Sequence, residues 1–231
     1  YPETGAEVRP VAEDSIWDCA SVSKALSTVS LLFSAESEGK LDFHDRVRKY
    51  FTGFPSDETE LLDLMCHRSG LPAHIEFFRS YEKGENRLGD QKPMLSWILE
   101  AGLPNKGTQV YSDLGFMLLG LLLESLHGNP LPEFFHEKIV TRLKLESSGY
   151  VTLPHAPAPA RLYGLLAPTS RFVATEVCPW RKLLQGGVHD DNTKAAEDQI
   201  FSLSLAAPSI VRAQAKYPDR SIRLVIPFPP G

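Results

Sequence analysis

The chain has 231 residues, 42% hydrophobic and 23% charged, with a formal net charge of −5 and a pI near 5.8. That is enough apolar material to bury the core of one domain, or one domain with an appendage, and too much for a disordered chain; the lack of a basic footprint argues against nucleic acid as a partner. Three scattered cysteines, Cys19, Cys66 and Cys178, make no disulfide framework, and no CxxC pair or HExxH occurs, so neither a metal site nor a cofactor is expected.

The opening YPETGAEVRPVAEDS has no basic start before an apolar run, so it does not read as a signal peptide, and it begins without Met, as a fragment would. No stretch reaches the roughly 18 apolar residues of a membrane span. Free cysteines and no signal lean towards the cytoplasm. From Ser21 to Ser37, Ala25, Leu26, Val29, Leu32 and Phe33 recur at helical spacing, and Gly39 is placed to end that helix. DETELLDLMC, Asp57 to Cys66, begins with acids and continues apolar, as a helix start does, before the turn His67-Arg68-Ser69-Gly70-Leu71-Pro72. Residues 80–92 read as a charged loop, and Pro93 suits the first position of a helix over MLSWILEAG. Ser112 to His127 is apolar almost all round, which predicts a buried core helix stopped by Gly128-Asn129-Pro130. Pro132 to Lys144 reads as one more amphipathic helix, and Arg171 to Val177 as a strand. After residue 195 the composition shifts, and residues 221–228 form a β-prone run before the terminal Pro-Pro-Gly.

The candidate chemistry is Ser21-Val22-Ser23-Lys24, an S-x-x-K at the start of the first long helix. A spacing of three puts both side chains on one face. A serine hydroxyl needs a base, and a lysine serves only when neutral, a fraction on the order of 10⁻³ to 10⁻⁴ at its ordinary pKa and neutral pH. Burial on an apolar helix is expected to lower that pKa. The chain carries two internal controls, Ser37–Lys40 and Ser80–Lys83, neither ahead of an apolar helix that would desolvate the lysine. Tyr111-Ser112-Asp113 precedes the buried helix, where a tyrosine can pass a proton to a leaving group. Against this stands the plain reading of a capped helix, and Tyr217-Pro218-Asp219 repeats the Y-x-D pattern without context.

Four blocks, ASVSKAL, EGKLDFHDRVRKYF, ELLDLMCHRSGLPAH and GTQVYSDLGFMLLGLLLE, occur in this order. Together they resemble the serine β-lactamase and penicillin-binding-protein-like hydrolases, closest in look to the class C-like branch with the family VIII carboxylesterases. The segment CPWRKLLQGGVHDDN is similar to a later part of that branch, so the resemblance covers roughly residues 13–192. It implies Ser21 as the acylated nucleophile, Lys24 as its base and Tyr111 as the proton shuttle. Asp113 falls where the family's Y-x-N motif carries the asparagine that contacts substrate, and His67 matches a structural turn position. Two departures follow. Only about 20 residues precede Ser21, where strands are usual in the family, and no KTG or HxG strand follows. AQAKYPDRSIRLVIPFPPG resembles instead the start of periplasmic substrate-binding proteins of the tripartite tricarboxylate transporter type.

The expectation is therefore an α+β, truncated β-lactamase-like fold over residues 1–195, mainly helical with a small residual antiparallel sheet, followed by a foreign-looking tail over 196–231. The expected activity is hydrolysis of small esters through an acyl-enzyme on Ser21, because a weakened oxyanion hole favours good leaving groups. The alternatives are hydrolysis of β-lactams or D-amino-acid peptides, and an inactive remnant that only binds. Exposed sheet edges imply self-association into a homo-oligomer.

Overall fold

The longest run of apolar residues in the chain forms the central helix of the computed structural model, which describes residues 16–75, 91–145, 148–150, 174–178, 182–185 and 203–206. In chain order the elements are strand β1 (Ile16–Asp18), a π-helical turn (Lys24–Val29), α1 (Ser30–Ser37), α2 (Val47–Tyr50), α3 (Leu61–Met65), α4 (Gln91–Glu100), α5 (Asp113–His127), α6 (Leu131–Phe135), a second π-turn (His136–Val140), α7 (Thr141–Leu143), β2 (Ser148–Tyr150), β3 (Ala174–Cys178), β4 (Lys182–Gln185) and β5 (Leu203–Ala206).

Helix α5 is buried over Leu114–Gly120 and at Leu122 and Leu123, with Leu114, Leu118, Leu119 and Leu123 wholly removed from solvent. Each such leucine contributes about 1.5–3 kcal/mol by leaving water. The helix passes close to α3 at Gly115, where a Cβ would sit in van der Waals contact with the Leu64 backbone, 3.4 Å from its carbonyl oxygen. Gly128, at φ 81, ends the helix by donating to the Glu124 carbonyl at 2.8 Å.

The first helix ends as its sequence predicts. Gly39 takes φ 69, its N–H bonds the Glu36 carbonyl, and Lys40 N–H bonds that of Ala35, a Schellman pair. Its buried face differs from the predicted stripe. Leu26 and Phe33 are exposed, whereas Ser27, Thr28, Leu31, Leu32 and Ala35 are buried. The buried set is itself a regular helical stripe, turned so that the small residues Ser27, Thr28 and Ala35 face inward beside Leu31 and Leu32.

Three boundaries also shift. Helix α3 starts at Leu61 rather than Asp57. Glu60 is extended and bridges to Arg46, and the N–H groups of Leu61 and Leu62 are capped by the carbonyls of Asp45 and Phe43. Helix α4 begins at Gln91, two residues before Pro93. Proline is tolerated there because first-turn N–H groups have no intrahelical partner. The segment after Pro132 is helical throughout but divided by its π-turn.

The sheet is small and antiparallel, in the order β1-β5-β2, with Trp17 opposite Leu205 and Gly149 opposite Ser204. Its central strand is thus drawn from the segment beyond residue 195. β3 pairs with β4 in a separate two-stranded ribbon, so the strand expected over 171–177 is seen at 174–178. The run 221–228 lies outside the described residues. The sheet is tied to the helices by Tyr150, whose buried hydroxyl lies 2.6 Å from that of Ser27 and whose ring packs edge-on against Phe135. Among the described residues no helix is long and apolar enough to cross a membrane.

Candidate active site

Ser21 sits in a tight turn entering the first helix. Ala20 takes φ 45, in the left-handed region, and N–H groups of Val22, Ser23 and Lys24 bond the carbonyls of Cys19, Ala20 and Ser21. A non-glycine residue there costs of order 1–3 kcal/mol, and such residues cluster at functional sites. The turn leaves Ser21 exposed while Ser23 is buried and Lys24 partly so.

Lys24 lies on the first residue of the π-turn and projects towards α5. Its Nζ donates to Ser21 Oγ at 3.1 Å and lies 2.7 Å from Asp113 Oδ1. The rings of Tyr111 and Phe116 flank it, their centroids 5.1 and 5.8 Å from Nζ. Burial on an apolar helix predicts a lysine whose pKa falls. Burial does pull it down, but the contacts with Asp113 and Tyr111 outweigh that, and the net displacement is upward. The apolar helix beneath Lys24 brings a carboxylate with it, at the first residue of α5.

The loop bearing Tyr111 and Asp113 is fastened to the turn after α3. Asn105 N–H bonds the Gly70 carbonyl, the Asn105 side-chain amide bonds that of Leu71, and the Gln109 amide bonds that of Cys66. Ser112 Oγ donates to the Pro72 carbonyl at 2.6 Å and Asp113 N–H to that of Ala73 at 2.9 Å. Gly70 is required by this contact: its φ is 86, and a Cβ would stand 3.0 Å from the backbone N and Cα of Lys106. The turn HRSGLPA therefore fixes where the YSD loop can lie.

The structure brings all four sequence-predicted residues together. Asp113, expected as a substrate contact, meets Lys24. Tyr111 is half exposed at the rim. The control lysine Lys40 pairs with Glu38 on the surface, and Ser80, Lys83 and Tyr217 lie outside the described residues. His67, read from the sequence as a turn residue, lies against the Tyr111 ring, with centroids 4.4 Å apart. No local pattern announces that contact. Among the described residues no group of His, Cys, Asp and Glu could hold a metal ion.

A serine in a tight turn, a lysine one helical turn on, and a Y-x-D loop leading into a buried helix thus meet at one place on a mainly helical α+β frame. The family model described as Beta-lactamase matches residues 3–197, and the chain belongs to that family. It is 29% identical over 203 residues to the N-acetylmuramyl-L-alanine amidase of Bacillus subtilis (strain 168), covering 80% of this chain and 45% of that protein. It is 27% identical over 139 residues to penicillin-binding protein 4* of the same strain, covering 58% of this chain and 30% of the relative. A solved class C β-lactamase from Rhodobacter sphaeroides shares the fold, with a TM-score of 0.58 at 23% identity over 86% of this chain and 50% of its own. The chain thus spans less than half the length of these two curated relatives.

Proposed function

We propose that this chain hydrolyses amide-type acyl bonds, those of β-lactams or D-amino-acid peptides, through an acyl-enzyme on Ser21. The observation that carries the reading is Lys24 Nζ held between Ser21 Oγ and Asp113 Oδ1 beside the Tyr111 ring. In the neutral state, Lys24 takes the proton from Ser21 Oγ as Oγ bonds to the carbonyl carbon and the carbonyl oxygen becomes an oxyanion. Tyr111 passes a proton to the leaving nitrogen as the C–N bond breaks. The proton that Lys24 took from Ser21 restores Tyr111; water then gives a proton to Lys24 as its oxygen bonds to the acyl carbon, and that proton passes to Ser21 Oγ as the acyl–oxygen bond breaks. Because Asp113 holds Lys24 charged, acylation tracks the small neutral fraction and quickens as pH rises.

Ester cleavage, the first expectation from the sequence, would use the same groups. The relatives above carry the names amidase, penicillin-binding protein and β-lactamase, so amide-type bonds take precedence. The test is labelling with a fluorescent penicillin, with the adduct located by peptide mass mapping, and turnover of nitrocefin set against p-nitrophenyl butyrate. The expected adduct is on Ser21, disappears in Ser21→Ala and is strongly slowed in Lys24→Ala. An adduct elsewhere, or none, refutes the proposal; butyrate turnover without nitrocefin turnover restores the ester reading.

A further inference from the structure

His67 makes contact with three consecutive positions. Its backbone carbonyl accepts the Val110 N–H at 3.0 Å, and its ring Nδ1 accepts the Ser112 N–H at 3.1 Å. Between those two residues stands Tyr111, and the imidazole ring lies against the Tyr111 ring with centroids 4.4 Å apart and planes 35° apart. The imidazole also lies beside the Phe116 ring, with centroids 5.3 Å apart. Tyr111 and Phe116 are the two rings that flank Lys24 Nζ. One residue therefore fixes the backbone on both sides of Tyr111 and backs its ring.

His67 adopts φ 57, a left-handed conformation that a non-glycine side chain enters at a cost. That conformation points carbonyl and ring at the same short loop. For Nδ1 to accept a hydrogen bond, the ring must be neutral with its proton on Nε2. Burial, and then the neighbouring Lys24 ammonium, hold the ring below the ordinary histidine range, against the weaker upward pull of Asp113. Protonation would turn the acceptor into a donor facing an N–H and place a second cation beside Lys24.

We propose that His67 is a positioning residue for Tyr111, setting through paired backbone and ring contacts the place from which the phenol reaches the reacting atoms. The proposal rests on the acyl-serine reading above and adds a residue to it. A misplacement of about 1 Å costs about a hundredfold in rate, so loss of the His67 side chain should slow acylation by about tenfold to a hundredfold.

The experiment is a double-mutant cycle on the full chain, read as the rate of fluorescent-penicillin adduct formation on Ser21. His67→Gly removes the side chain with no penalty at positive φ. His67→Asn also tolerates that φ and keeps a side-chain acceptor for the Ser112 N–H. The expected result is a tenfold to hundredfold loss for His67→Gly, most of it recovered in His67→Asn, and no more than about a twofold effect of His67→Gly in the Tyr111→Phe background. An equal loss in both backgrounds, or no loss with Tyr111 present, overturns the role. If His67→Gly does not melt cooperatively, His67→Ala, which also removes the ring acceptor, closes the same cycle in the two Tyr111 backgrounds. A native chain that takes no adduct on Ser21 overturns the acylation reading itself, a different outcome from equal losses.

Discussion

Asp113→Asn isolates one charge at the site. Asparagine is nearly isosteric and keeps an oxygen to accept from Lys24, so the Lys24–Ser21 contact can persist while the carboxylate is removed. At the observed 2.7 Å, unit charges attract by about 1.5 kcal/mol in an aqueous dielectric and about 6 kcal/mol at an effective dielectric of about 20. Both side chains keep some solvent contact, 18% and 25% exposed, so the screened end of that range applies. Loss of about 1.4 kcal/mol raises the neutral fraction of a lysine about tenfold. The ion pair holds Lys24 above its usual range and acylation needs it neutral, so removing Asp113 moves the rising limb of the rate–pH profile to lower pH. Adduct formation on Ser21, followed from neutral to alkaline pH, should therefore be about tenfold faster at neutral pH, with the alkaline plateau unchanged. A limb that stays in place or moves to higher pH, with Ser21 still labelled, would refute the assignment of Lys24 as the base.

Three further outcomes follow from the packing. Gly70→Ala forces a Cβ to within 3.0 Å of the Lys106 backbone at φ 86, and should lower stability by about 1–3 kcal/mol in urea melts while slowing acylation, because the Tyr111 loop is fastened there. Tyr150→Phe leaves the buried Ser27 hydroxyl without its 2.6 Å contact, and should cost about 1–3 kcal/mol by the same measurement, with no change in the pH profile. Leu119→Ala, in the fully buried face of α5, should cost about 2–5 kcal/mol from lost burial plus a cavity; a cost below 1 kcal/mol would mean that the helix is not the core element described above.

The residues that carry the site were legible because local spacing encodes them. Ser21 and Lys24 share a face by helix geometry, the uniform apolar run from Leu114 to Leu123 can only be a core helix, and Gly39 marks its helix end by a conformation other residues avoid. Strands of three or four residues are too short to show a period, so β1, β2 and β5 were not marked by pattern; they exist because residues distant in sequence pair. The π-turn was equally invisible, since one extra residue in a turn leaves no mark on composition.

Sequence alone determined the Ser21–Lys24 spacing and the buried helix beneath it, because both depend on contacts between near neighbours. Only the tertiary structure decided that a carboxylate faces that lysine, and where Tyr111 sits. The 67–73 turn and the 105–113 loop fasten to one another by backbone hydrogen bonds, and that closure swings Asp113 onto Lys24 and His67 onto Tyr111, pairings that no periodicity along the chain can express.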